Sequence, residues 1–133
     1  MLTKFPFLIL ALIGYNAIAF FSSLTWDMTV FQIAMVSGVV WRLSVGDIFL
    51  VACLFLLFIE IIKATHTGAS ALFDHALSTL LFVLCLVEFL LVARAATSTF
   101  FILTVIALID VIAGFSITIR AARRDFAVGP DRY

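Results

Sequence analysis

Four ionisable side chains lie inside apolar stretches of this chain: Glu60, His75, Glu88 and Asp110. An ionised side chain at the centre of a bilayer costs about 2.5–3.5 kcal/mol on insertion scales, so such groups face protein or water rather than lipid. Three acids and an imidazole could pass a proton or a cation along a bundle. The same groups could instead hold helices together. Burial favours the uncharged form of a carboxyl group, which can donate an interhelical hydrogen bond worth about 0.6–2 kcal/mol. Helix or subunit locking is the preferred reading, with Asn16, Tyr15, Ser78 and Thr104 as candidate partners for these acids. Glu60 and Lys63 stand one helical turn apart and can neutralise each other. Glu88 and Arg94 fall near one end and are expected to pair.

Other chemistries find less in the sequence. Cys53 and Cys85 come out at similar depth on adjacent segments, but a buried thiol is more often a small hydrophobe than a redox centre. His66 and His75 lack the spacing of a metal pair, so no metal is expected. No P-loop, GxGxxG, HExxH or CxxC pattern is present, and no cofactor or catalytic residue is expected. The formal net charge is zero, which excludes the basic signature of a nucleic-acid binder.

The elements that must position these groups follow from composition. The chain is 65% hydrophobic and 12% charged, with fifteen phenylalanines in 133 residues. A soluble domain is about 45–50% apolar and about 25% charged. A helix needs about 20 apolar residues to cross a bilayer. Four stretches qualify: about Phe5–Leu24, Asp47–Ala64, Leu72–Ala93 and Ser98–Ile119. The first could pass for a signal peptide, but its apolar run exceeds the ~7–15 residues of a signal core, so it is read as a retained span. The expectation is an all-α membrane protein, an antiparallel bundle of four transmembrane helices in a single domain. Asp47, Thr67 or Ser70, and Thr97 or Ser98 suit the N-caps of the last three.

Spacing assigns the faces. Cys53 and Glu60, then Asp74, Ser78, Cys85 and Glu88, then Thr104, Ala107, Asp110, Gly114 and Thr118 recur at threes, fours and sevens. Each set shares one side of its helix and predicts an interior face. Ala107 and Gly114 are small residues that allow close helix packing beside Asp110.

The connection 25–46 is too apolar for a solvated loop. Two β-rich runs around Ser37–Gly38 suggest a β-hairpin with a two-residue turn. In that register Ala34 faces Trp41, Gln32 faces Leu43 and Ile33 faces Arg42. Trp26, Phe31, Ile33 and Trp41 are its candidate contacts with a partner or the lipid interface. A lid over the helix ends and an interfacial helix are the alternatives.

Orientation follows from the basic residues. With the N-terminus inside, Lys4, Lys63, Arg120, Arg123, Arg124 and Arg132 are cytoplasmic, and only Arg42 and Arg94 are outside. The positive-inside rule therefore puts both termini in the cytoplasm and the hairpin outside. Arg120, Arg123 and Arg124 begin the tail 120–133 and suit anionic lipid. "VGP" ends any helical extension into that tail.

The runs "GDIFLVACLFLLFIEIIKATHTG", "FDHALSTLLFVLCLVEFLLVARAAT" and "AATSTFFILTVIALIDVIAGFSITIRAARRDF" resemble a family of small four-helix inner-membrane proteins of alphaproteobacteria. The resemblance covers the last three spans and implies a bacterial inner-membrane location. It carries no established activity, so no residue role comes with it. The functional expectation is a non-enzymatic accessory or structural subunit, or a homo-oligomer, acting through helix and outer-loop contacts. Its partners would be membrane lipid and other membrane subunits or itself. The alternative is a small proton- or cation-conducting protein.

Overall fold

The computed structural model describes residues 5–65 and 69–128. The order is α1 (Leu8–Phe21), β1 (Thr29–Ala34), β2 (Val40–Ser44), α2 (Val45–Ala64), α3 (Ala69–Leu91), a 3-10 turn (Ala93–Ala95) and α4 (Ser98–Val128). Three of the described helices, α2, α3 and α4, are long and apolar enough to cross a membrane. The polar stripes do face inward: Cys53, Glu60, Asp74, Ser78, Cys85, Thr104, Ala107 and Asp110 are all buried. Large apolar side chains such as Phe55, Phe58, Leu80, Leu90 and Ile112 cover the outside. A helix that is apolar all round while packing through a polar stripe is built for a non-aqueous exterior.

The first expected span is the exception. Its helix has 14 residues, about 21 Å at 1.5 Å per residue, short of the ~30 Å hydrocarbon core. Pro6 disfavours helical backbone at Phe5. At the other end the Ser22 hydroxyl accepts the Leu24 N–H at 3.0 Å, a local bond that competes with the helix. The shortened helix still runs beside the bundle. Its start meets Glu60 through the Phe7 N–H, and its end meets Arg94 through the Ala19 carbonyl.

The caps are partly as expected. Ser44, not Asp47, is the N-cap of α2, and Asp47 completes a capping box by accepting the Ser44 N–H at 3.0 Å. Thr97 caps α4 by accepting the Phe100 N–H at 3.1 Å. Thr67 lies outside the described residues, and Ser70 falls within α3. Helix α4 continues to Val128 rather than stopping near Ile119, so Arg120, Arg123 and Arg124 ride on helix.

The 25–46 connection is a hairpin, but its register differs by one residue. Phe31 pairs with Leu43, Gln32 with Arg42, Ile33 with Trp41 and Ala34 with Val40. The turn has three residues, Val36, Ser37 and Gly38, because Met35 and Val39 close the ladder at 2.8 Å. Gly38 has φ 92°, the left-handed position that ends a three-residue hairpin loop. Phe31, Ile33, Trp41 and Leu43 therefore share one face, and Gln32 and Arg42 share the other.

The hairpin joins the bundle tightly. The Gly46 N–H donates to the Trp26 carbonyl and the Val45 N–H to the Met28 carbonyl, each at 2.9 Å. A Cβ at Gly46 would lie 2.8 Å from Thr99 Oγ1 and 3.0 Å from the Trp26 carbonyl oxygen. Gly46→Ala is expected to cost about 1–3 kcal/mol by overpacking and to move Trp26 emission to the red. Fluorescence-detected unfolding in a Trp41→Phe background checks this, and an unchanged spectrum and midpoint would count against the contact.

Candidate functional site

The polar stripes converge most densely where α2 ends and α3 begins. Lys63, in the last turn of α2, turns inward with only 9% of its side chain exposed. Its ammonium lies 3.1 Å from Glu60 Oε1 and 3.7 Å from Asp74 Oδ1. It also donates to the Phe5 carbonyl and sits 4.3 Å from the centre of the Phe7 ring. The ammonium hydrogen-bonds Glu60 and the Phe5 carbonyl, and Asp74 Oδ1, at 3.7 Å, is held by charge alone without a hydrogen-bond partner among the described residues. Glu60, itself 1% exposed, also accepts the Phe7 N–H at 2.5 Å. The non-helical residues Phe5–Phe7 thus close the cluster from the end of the bundle.

Asp110 reaches the same cluster from α4. Ser78, Glu60, Asp74 and Lys63 are the polar groups around it. Of the four expected hydroxyl and amide partners, Asn16 bonds an acid, Glu88, and Ser78 stands beside Asp110. Thr104 instead donates to the Phe100 carbonyl at 3.0 Å, and Tyr15 and Asn16 act at the opposite end of α1. His75 is buried beside this region, its ring stacked 5.6 Å from Phe115. Gly114 makes room for it: a Cβ there would lie 2.5 Å from the imidazole Cε1. Ala107 is buried in the core one turn before Asp110. Both small residues therefore stand at close contacts between helices.

Glu88 lies apart. Its Oε1 accepts from Asn16 Nδ2 at 3.2 Å, and its Oε2 is buried without a hydrogen-bond partner. The expected pair with Arg94 does not form. Arg94 lies within the 3-10 turn, where it donates to the Ala19 carbonyl at 2.8 Å and covers the Phe20 ring at 5.1 Å. An unsatisfied carbonyl at the end of α1 outcompetes a carboxylate one helical element away. Between Ser78 and Glu88 the rise along α3 is about 15 Å. Leu57, Leu81, Leu103, Ile106 and the unbonded Cys53 and Cys85 fill this interval as buried core.

At the hairpin end, Tyr15 is fully buried and donates to the Arg94 carbonyl at 2.9 Å. Trp26 stacks on it with ring centres 4.5 Å apart, and Phe49 and Phe100 complete the cluster. Trp26 is therefore half-buried structure, unlike Phe31, Ile33 and Trp41, which are about half exposed on the hairpin. Arg120 and Arg123 are exposed on α4, and the Arg124 side chain lies outside the described set. Among the described residues no group of His, Cys, Asp and Glu side chains could hold a metal ion.

Sequence spacing placed Glu60, Asp74, Ser78 and Asp110 on interior stripes. Lys63 was legible as a partner of Glu60, not as the hub, because spacing along α2 does not show that Asp74 of α3 and the Phe5 carbonyl reach the same ammonium. Comparison of the chain with known protein families, curated proteins and solved structures gives no match.

Chemically, one cation neutralises buried carboxyls and ties α2, α3 and the entry to α1 together. Lys63→Met removes it and leaves buried acids unpaired, a change expected to cost about 3–5 kcal/mol. Adding Glu60→Gln and Asp74→Asn should recover most of that loss. Thermal unfolding in detergent micelles checks both; a Lys63→Met midpoint equal to wild type would overturn the hub.

Proposed function

We propose that the chain is a non-enzymatic integral protein of a bacterial inner membrane that acts by contact. It crosses the membrane with a rigid bundle and presents its hairpin to another membrane subunit or to a second copy. The observation that carries this reading is the hairpin itself. Phe31, Ile33 and Trp41 are 50%, 47% and 47% exposed on one face, on a ribbon whose two-stranded form is marginal in water. The apolar exterior of α2, α3 and α4 supports the membrane location. The resemblance of the last three spans supports the bacterial one. The basic residues support cytoplasmic termini and a periplasmic hairpin, and place Arg120, Arg123 and Arg124 against anionic lipid.

The buried acids fit the contact reading better than a relay. Glu60 and Asp74 are drawn onto Lys63 in a single cluster that Asp110 borders. Between that cluster and Glu88 the buried core is aliphatic and thiol apart from Thr104, whose hydroxyl donates to the Phe100 carbonyl.

Native mass spectrometry after mild extraction tests the proposal. The expected species contains a second polypeptide, and Ile33→Ser with Trp41→Ser should release it without moving the unfolding midpoint. A strictly monomeric wild type would overturn the contact role. Proton flux into liposomes is expected at background for wild type and for Asp110→Asn alike. Flux in wild type that Asp110→Asn abolishes would establish the relay instead.

A further inference from the structure

A cleft of about 600 Å³ opens at the hairpin end of the bundle. It lies between the end of α1, the loop through Trp26 and Asp27, and the turn from Arg94 to Thr99. That volume falls within the ~300–1,000 Å³ range of small-ligand sites. Its two charged residues, Arg94 and Asp27, are of opposite sign. They form no ion pair with each other; among the described residues the ion pairs all belong to Lys63. Two uncompensated opposite charges on one cleft complement a zwitterion.

The donors suit a phosphate. Arg94 is held by the Ala19 carbonyl and the Phe20 ring, which orients the guanidinium and leaves further N–H groups free. A guanidinium fork matches phosphate geometry. The Thr97 hydroxyl is already committed to Tyr15 at 2.7 Å and to the Phe100 N–H. The hydroxyls of Ser98 and Thr99 make no hydrogen bond with protein and line the cleft beside Arg94. Asp27 is exposed and stands ready for an ammonium.

A second groove points to a lipid rather than a free headgroup. It has a volume of about 310 Å³ and is lined by Phe89, Ala96, Phe101 and the same Thr97 and Ser98 that line the cleft. Phe101 is 51% exposed there. The cleft that carries Arg94 and Asp27 and the groove that carries Phe89 and Phe101 share one wall at Thr97 and Ser98, as a headgroup and its acyl chain require.

The geometry points to a binding site for one phospholipid with a zwitterionic, primary-amine headgroup. Arg94, Ser98 and Thr99 take the phosphate, Asp27 takes the ammonium, and the Phe89–Phe101 groove takes a chain. This rests on the membrane reading, so that reading is tested on the same preparation by sedimentation after carbonate extraction. Native mass spectrometry then follows retention of added phosphatidylethanolamine and phosphatidylglycerol by the whole chain. Wild type is expected to retain the former roughly threefold better, the scale of one exposed ion pair. Asp27→Asn, at an exposed side chain with no hydrogen bond or ion pair among the described residues, should abolish that preference, and Arg94→Gln should weaken both lipids. Equal retention of the two lipids by wild type, or a preference unchanged in Asp27→Asn, overturns the site while the membrane reading stands. Release into the carbonate supernatant overturns both. Glycerophosphoethanolamine is expected to compete poorly; competition equal to that of the intact lipid overturns the role of the aromatic groove.

Discussion

One ammonium group inside an apolar bundle sets much of this architecture. Lys63 holds Glu60 on its own helix, Asp74 on α3 and the Phe5 carbonyl ahead of α1. Replacing such a cluster with aliphatic side chains is often neutral or stabilising, so its gain is better sought in register than in net stability. Here register has consequences along the whole chain. Fixing Phe7 at the level of Glu60 fixes where α1 begins. With 14 residues to run, α1 then delivers Tyr15 and Ala19 to the level of Arg94. That position decides where Trp26 can stack, and Trp26 decides where the hairpin leaves the bundle.

The two ends of the bundle are closed by different physics. One end holds buried charge, met in part by the Phe5 carbonyl and the Phe7 N–H ahead of α1. The other holds an aromatic cluster, Tyr15, Trp26, Phe49 and Phe100, stitched by the hydroxyls of Tyr15 and Thr97. Aromatic rings fill much volume and still place a polar tip at a defined depth, which suits a boundary between apolar core and interface. The middle layer is aliphatic, with Cys53 and Cys85 serving as small apolar residues. This buried middle layer separates the charges of the two ends.

Much of the interior was legible from spacing because a helix in an apolar surrounding has few places for a polar group. Glu60, Asp74, Ser78, Cys85, Thr104 and Asp110 therefore announce their face. What spacing does not encode is competition for partners. Glu88 and Arg94 look like a pair on charge alone, but the free carbonyl of Ala19 and the amide of Asn16 offer better-placed bonds. Nor does hydropathy report helix length at Phe5–Leu24, where apolar residues continue past the helix at both ends. Pro6 and Ser22 set its limits through backbone chemistry that an apolar count ignores.

The hairpin shows how a single residue changes the meaning of a surface. Its strands are apolar at most positions, so hydrophobic pattern specifies register weakly. The decision falls to the turn, where Gly38 accepts a positive φ and adds a third loop residue. With a two-residue turn Trp41 would share a face with Gln32 and Ala34. With three, Trp41 joins Phe31, Ile33 and Leu43, and its ring meets Phe31 edge-on at 6.4 Å. Gln32 and Arg42 then stand opposite each other on the far side. The far side also carries the Ala34–Val40 pair, with Val40 exposed, so both sides hold apolar surface. Only the Phe31–Trp41 side is aromatic and free of charge. That side gains most by leaving water, while Arg42 opposes burial of the other.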